Sequence, residues 1–244
     1  MNKNPDASAA IRRDKTLPVY NEIFKDQHSV AAADVRAHYQ PLMTELTKLG
    51  PKKIKDRTLR ADQVQAQEGI TFLLNPGEER IIPVDWLPRI IPQDHWKKIE
   101  KGLSQRVSAI NLFLNDLYHG KFPVVPEELI KTSQYYYPEC EGLSVPENIH
   151  VHLYGPDLVH LGNGKYVILE DNLRIPSGAS YVLKWQRVVK HLFPEFLGKY
   201  AIMPIEDLCR KFRENLEFAV HADHKSDPVV VLLTEGSYSS AYYD

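Results

Sequence analysis

The feature that most constrains this chain is a pair of β-prone segments joined by a glycine turn. The segment YVILE, residues 166–170, is apolar until Glu170, and the segment IHVHLY, residues 149–154, alternates apolar and polar side chains. Between them lies Gly162-Asn163-Gly164, whose residues accept the positive φ angles of tight hairpin turns. The sequence therefore predicts an antiparallel hairpin in which residues 149–159 pair with residues 166–172.

The second strand of this hairpin ends in the polar tripeptide Glu170-Asp171-Asn172. Side chains alternate along a strand, so Glu170 and Asn172 share a face while Asp171 points away. Asp157 on the partner strand comes within reach of both. Carboxylate and carbonyl oxygens are the ligands that Mg²⁺ prefers, with substrate phosphates completing its shell. The tripeptide is thus predicted to form a magnesium site with Asp157, and the alternative is a solvated strand end.

The remaining elements follow from apolar spacing and from proline and glycine positions. Apolar residues at helical spacing between residues 34 and 50 predict a helix with a kink or a late start at Pro41 and a stop at Gly50-Pro51. The clearest helix spans residues 94–120. Further predictions are a strand at 70–75, an irregular segment at 79–92, a short helix near 127–131, a helix carrying Val182 through Phe196, and a helix beginning at Pro204.

Composition and charge exclude several classes of protein. A formal net charge of −2 and a pI near 6.6 argue against a nucleic-acid-binding surface. No window approaches the roughly 18 apolar residues that a membrane helix needs, and the N-terminus lacks the apolar region of a signal peptide. The only two cysteines, Cys140 and Cys209, cannot build a thiolate zinc site and fit a reducing compartment. We therefore expect a cytoplasmic protein with no membrane partner.

Five consecutive apolar residues near the end, Val229 to Leu233, predict a strand buried on both faces in a parallel sheet. The chain ends eleven residues later, before a crossover helix is completed, so a truncated protein is expected. The predicted organisation is an N-terminal lead-in and helix over 1–64, a metal-site region over 65–226, and the start of an incomplete parallel-sheet domain over 227–244.

Five sequence segments together resemble a known family. They are PRIIP, WKKIEKGLSQRVSAINLFLNDLY, GPDLVH, LEDNLRIPSGASYVL and VVLLTEGSYSSAY, in this order. The pattern is similar to the bacterial circularly permuted ATP-grasp proteins, a group often named glutathionylspermidine-synthase-like, and the likeness spans about residues 65–244. The resemblance implies a mixed α/β, ATP-grasp-like fold, and permutation explains why the metal motif precedes the strand at 229–233.

The resemblance also implies a chemistry. ATP-grasp ligases use ATP and Mg²⁺ to join a carboxylate to an amine through an acyl phosphate. Carried onto this chain, Asp157, Glu170 and Asn172 would bind magnesium. Arg174 would be the catalytic residue, and Arg174, Ser177 and Gly178 would contact the nucleotide phosphates. The lysines and glycine-rich lid that clamp the nucleotide in this family would lie beyond Asp244.

Several alternatives stay open at the level of sequence. The chain can be a non-catalytic subunit or interaction module of the same fold, and the sequence is compatible with a homo-oligomer. His150 and His152 share a strand face and can serve a metal hydrolase, although a wet strand face is the simpler account. Arg89 and Arg106 can bind phosphates or form structural ion pairs.

Overall fold

The structure, a computed structural model, describes residues 20–26, 30–75, 78–220, 228–239 and 242–244. Its helices are α1 (Gln40–Gln67), α2 (Gln93–Tyr118), α3 (Glu127–Lys131), α4 (Ala179–Leu192), α5 (Pro194–Leu197) and α6 (Leu208–Phe218). Its strands are β1 (Thr71–Asn75), β2 (Glu78–Ile81), β3 (Gly155–Gly162) and β4 (Lys165–Asn172). They form two separate antiparallel hairpins, β1–β2 and β3–β4, giving a mixed α/β fold. Within the described ranges, no helix combines the length and hydropathy that crossing a membrane requires.

Helix α1 consists of two helical stretches, and the sequence predicts the first of them. Pro41 lies in its first turn, where a missing N–H costs nothing, so the late start is confirmed and Pro41 causes no kink. The bend occurs at Gly50, whose φ of 74° and ψ of 160° leave the helical region. Pro51 then starts a second helical stretch, again as a first-turn residue. The predicted stop at Gly50-Pro51 is therefore confirmed, and the second stretch, which continues to Gln67, was not predicted.

The main hydrophobic core lies where α1 meets α4 and α5. Phe193 and Phe196 are 1% and 2% exposed, and their rings stack with centroids 5.0 Å apart. Trp86, from the irregular segment after β2, packs into the same cluster and donates its indole N–H to Asp62 at 3.0 Å. The other buried members of the cluster are Val35, Tyr39, Leu42, Ala61, Val188 and Leu192.

Buried polar groups connect the β1–β2 hairpin region to this core. Gln65 on α1 is fully buried, donates to the Ile82 carbonyl at 2.8 Å and accepts from the Trp185 indole at 2.6 Å. On α4, the Tyr181 hydroxyl donates to the Thr71 carbonyl at 2.8 Å. Since each buried partner is satisfied, these bonds fix α4 against β1. This contact positions the N-terminus of α4, which adjoins the candidate site.

Three predicted boundaries were wrong. Residues 149–154 form no strand, because the backbone N–H groups of His150 and Val151 donate to the Asn111 side chain on α2 instead of to a neighbouring strand. The helix predicted through Phe196 breaks at Phe193, which has φ −132° and separates α4 from α5. Helix α6 begins at Leu208, not at Pro204.

The remaining segments agree in part. The strand at 70–75, the long helix at 94–120 and the short helix at 127–131 are confirmed as β1, α2 and α3. The segment 79–92, in which three prolines argue against a long regular element, begins inside the short strand β2 and is irregular after Ile81, as predicted. The strand β2 itself was not predicted.

The predicted strand from Val229 to Leu233 is also wrong. Residues 228–235 adopt no strand, and the five side chains are 52–90% exposed. A strand needs a neighbour to accept and donate its ladder hydrogen bonds. Among the described residues, no strand lies beside this segment.

Candidate functional site

The β3–β4 hairpin carries the predicted magnesium ligands at its open end. Asn163 and Gly164 close the other end in a two-residue turn with φ angles of 52° and 70°. A side chain at Gly164 would meet the His95 imidazole at 2.6 Å, so glycine lets the turn approach α2. Asp157 is the direct partner of Glu170, and residues opposite each other share a face. Asn172, two residues after Glu170, leaves the strand on that face too.

A bulge in β4 sets which side chains share a face. Leu158 pairs with Ile168 and Asp157 pairs with Glu170, so Leu169 is the extra residue in β4. Ile168 lines a cleft against α2, and Asp171, three residues later, binds α2 as well. Leu169 itself is 73% exposed. The hairpin thus has a helix-facing side and an open side, and the three predicted ligands occupy the open side.

On the helix-facing side, Asp171 fastens the open end of the hairpin to α2. Its two carboxylate oxygens accept from Arg106 Nε at 2.8 Å and from Arg106 Nη2 at 2.5 Å. The Tyr154 hydroxyl donates to the same carboxylate at 2.6 Å. These hydrogen bonds lower the pKa of Asp171 to about 2, and the bond from Arg106 has the largest effect. Burial, followed by the bond to Asp171, raises the pKa of Tyr154 to about 12.

The Arg106–Asp171 pair predicts a pH dependence of stability. The pKa of Asp171 is depressed from 3.8 to about 2 in the folded protein, so the unfolded chain binds the proton more tightly. The pair therefore stabilises the fold above pH 3.8, and this contribution is lost as the pH falls toward 2. We expect urea unfolding to show the wild type more stable than Asp171→Asn at pH 5, with the gap closing across this window. A difference in stability between wild type and Asp171→Asn that does not change with pH would contradict the lowered pKa of Asp171.

The open side of the hairpin fits a hard divalent cation. Asp157 and Glu170 are exposed, and neither carboxylate forms an ion pair within the described part of the chain. The Asn172 amide nitrogen donates to Asp157 Oδ1 at 3.5 Å, so the two side chains converge. Rotating the amide by a half-turn would present its oxygen instead. Two carboxylates and one amide on one face match the oxygen chemistry of Mg²⁺.

The turn after β4 folds back over the start of β3. Pro176 contacts Gly155, where an added side-chain carbon would lie 2.4 Å from the Pro176 Cβ. Gly155 is also the strand partner of Asn172. Ser177 and Gly178 follow Pro176, and Gly178, with φ 110°, is the N-terminal cap of α4. Because glycine at position 155 permits this contact, the turn lies at the same end of the hairpin as the predicted ligands.

The backbone amides at the start of α4 bind a carboxylate of this same chain. The N–H groups of Gly178 and Ser180 donate to the Asp244 side chain at 2.8 and 2.7 Å. The Ser180 hydroxyl donates to the Asp244 carbonyl at 2.9 Å. A helix N-terminus favours an anion through its free amides and its dipole. Sequence reasoning missed Asp244, because nothing in its local pattern indicates a contact with a helix more than sixty residues earlier.

The other candidate residues have simpler roles. Arg174 is exposed and has no ion-pair partner among the described residues. Arg89 pairs with Glu22 at 2.7 Å and Arg106 with Asp171, so both form structural ion pairs. His150 Nε2 is buried without a hydrogen-bond partner. The described ranges contain no group of three or more His, Cys, Asp or Glu side chains able to hold a metal.

Comparison with known proteins places the chain in a family. A sequence model described as circularly permuted ATP-grasp type 2 matches residues 88–244. The chain is 36% identical to uncharacterized protein sll0335 of Synechocystis sp. over 228 residues, covering 91% of this chain and 47% of that protein. It is 32% identical to uncharacterized protein Rv2411c of Mycobacterium tuberculosis, covering 94% of this chain and 42% of that protein.

A third relative carries a ligase name. The chain is 33% identical to a Frankia casuarinae protein provisionally named glutamate–cysteine ligase 2-2, covering 94% of this chain and 27% of that protein. The chain thus spans less than half the length of each of these three relatives. The family match extends over more than half of this chain and includes the hairpin, the turn at 176–178 and α4. The chain belongs to the circularly permuted ATP-grasp type 2 family.

Proposed function

We propose that this chain carries the magnesium-binding part of an ATP-dependent carboxylate–amine ligase. The observation that carries the proposal is the convergence of Asp157, Glu170 and Asn172 on the open side of the hairpin, beside the turn at Ser177 and Gly178. Family membership and the ligase name of a relative support the same class of reaction. The division into regions 1–64, 65–226 and 227–244 remains part of this proposal.

In the proposed reaction, a carboxylate oxygen of one substrate attacks the γ-phosphorus of ATP, and ADP leaves. The amine nitrogen of the second substrate then attacks the acyl carbon of the resulting acyl phosphate. The bond between acyl carbon and phosphate oxygen breaks, an amide forms, and phosphate and a proton leave. Bound magnesium would neutralise negative charge on the phosphates during the first step.

The residues of this chain would act by binding and orienting. Asp157, Glu170 and Asn172 would supply oxygen ligands from a rigid pair of strands. Arg174 follows Asn172 by two residues, and its guanidinium can bind a phosphoryl group through two parallel hydrogen bonds. Gly178 could bind phosphate only after its amide is released from the Asp244 carboxylate, because the two anions would repel each other.

A second candidate function is a non-catalytic subunit or interaction module of the same fold. The exposed apolar segment from Val229 to Leu233 favours it, since such a segment is typical of a surface that another polypeptide covers. This function predicts a stable protein that binds no nucleotide.

The test is ATP binding and turnover. Calorimetry should detect ATP binding that requires Mg²⁺ and is reversed by a chelator, either in this chain or in the longest natural polypeptide that contains it, where the expected nucleotide-clamping lysines would also be present. The longest natural polypeptide that contains this chain should also convert ATP to ADP when a substrate acid is present. Hydroxylamine would then trap the acyl phosphate as a hydroxamate, a product that can be measured by colour with ferric iron. Absence of nucleotide binding in both proteins would favour the non-catalytic module.

A further inference from the structure

A second cavity lies where the C-terminal segment crosses the β1–β2 hairpin. It is open to solvent, with a volume of about 610 Å³, which falls in the range of small-molecule sites. One wall comes from the hairpin and includes Thr71 and Glu79. The other wall comes from the C-terminal segment and includes Ser237, Ser239, Tyr242 and Tyr243. None of these residues belongs to the predicted magnesium site.

The described residues that line this cavity carry one charge, and that charge is negative. Glu79 is the charged residue of the lining, and within the described part of the chain no cationic side chain borders the cavity. One Glu79 oxygen accepts a hydrogen bond from the Thr71 hydroxyl, and the carboxylate keeps further acceptor positions. Serine hydroxyls add acceptors, and tyrosine rings attract cations through their faces. Such a lining favours an organic ammonium ion and disfavours a carboxylate or a phosphate.

The cavity adjoins the site already described. Tyr243 lines the cavity and its ring contacts that of Tyr181 on α4, with centroids 5.3 Å apart. The next residue, Asp244, binds the amides of Gly178 and Ser180 at the start of α4. Tyr181 in turn donates to the Thr71 carbonyl in the opposite wall. Asp244, the residue after Tyr243, therefore joins the wall of the cavity to the start of α4.

We propose that this cavity binds the amine substrate, as its ammonium ion, with Glu79 as the charged anchor. This inference rests on the proposed ligase function for the identity of the ligand, because only that function requires an amine. The ammonium group would lie against the Glu79 carboxylate and the hydroxyls, and the carbon chain would lie against the tyrosine rings. Glu79 would bind the amine and would take no part in the chemical steps.

Three probes of similar shape and different charge test this proposal. We expect 2-phenylethylamine to shift the NMR signals of residues in both walls, whereas 2-phenylethanol and 3-phenylpropionate shift them little. The titrations use the 244-residue chain without ATP or magnesium. In Glu79→Gln, which keeps the hydrogen bond with Thr71, the dissociation constant of the amine should rise about tenfold or more. Glu78→Gln is the matched control, because Glu78 pairs with Arg80 and does not line the cavity.

The outcomes separate this inference from the proposed function. Equal binding of amine and carboxylate, or equal amine affinity in Glu79→Gln and wild type, would overturn the ammonium site. Circular dichroism of each variant establishes that the comparison is made on folded protein. Amine binding that depends on Glu79, together with no ATP binding, would support the cavity and reject the ligase. Magnesium-dependent ATP binding with no amine binding would support the ligase and reject the ammonium site.

Discussion

Replacing Glu170 with glutamine is expected to weaken magnesium-dependent ATP binding by about 100-fold or more. The substitution keeps the size of the side chain and removes the charge that the proposed site needs. Changes to groups that merely support metal ligands cost roughly 10- to 100-fold in metal affinity, so loss of a direct carboxylate ligand should cost at least as much. Calorimetric titration of ATP at a fixed excess of Mg²⁺ measures the effect. Turnover by the longest natural polypeptide that contains this chain should fall with it.

The adjacent residue provides a matched control. Asp171 has the same charge as Glu170 but points to the other side of the hairpin, where it binds Arg106 and Tyr154. Asp171→Asn should therefore lower the stability at neutral pH and leave nucleotide binding largely intact. Glu170→Gln should show the opposite behaviour, with a free energy of unfolding within about 0.5 kcal/mol of wild type. Equal loss of ATP affinity in both variants would contradict the proposed division of the hairpin into two sides.

Replacing Phe193 with alanine is expected to be the most damaging single change to stability. Phe193 is 1% exposed and stacks on Phe196 between α4 and α5. The guanidinium of Arg57 lies 5.9 Å from its ring centroid, beside the ion pair that Arg57 forms with Glu195. Truncating a buried phenylalanine to alanine costs about 3–5 kcal/mol, through lost burial and the cavity that remains. Urea denaturation followed by circular dichroism should report a decrease of this size.

Phe212→Ala is the control for this prediction. Phe212 lies on α6 and is 41% exposed, so its removal leaves no enclosed cavity. We expect its free energy of unfolding to change by less than about 1 kcal/mol. If the two alanine variants were equally stable, the cluster around Phe193 would not be the main core.

The helices and the hairpin turn were predictable because their signals are local. Apolar spacing marks α2, and Asn163 followed by Gly164 marks a two-residue turn. The errors came from contacts between distant residues. Residues 149–154 alternate like a strand, but the Asn111 side chain on α2 takes their backbone donors. Similarly, the sequence from Val229 to Leu233 favours a strand. A strand would form there only if a neighbouring strand donated and accepted the backbone hydrogen bonds.

The candidate site was predictable in part. The shared face of Glu170 and Asn172 follows from the alternation of a strand, and the glycine turn indicates that Asp157 lies near them. The contact between Gly155 and Pro176 and the bonds from α4 to Asp244 join segments whose approach depends on the whole fold. Arg106 was recognised as either a phosphate ligand or an ion-pair partner. The structure selects the ion pair, because α2 packs against the Asp171 side of the hairpin.

The bulge at Leu169 has a consequence for recognising such sites in other sequences. If Leu169 occupied an ordinary position in the strand, strict alternation from Ile168 would turn Glu170 and Asn172 toward α2. Asp171 would then be the carboxylate exposed to solvent, although the sequence Glu-Asp-Asn would be unchanged. The extra residue in β4 thereby decides which carboxylate lies on the open side of the hairpin. Proteins with the same tripeptide would share this chemistry only where the strand keeps its extra residue.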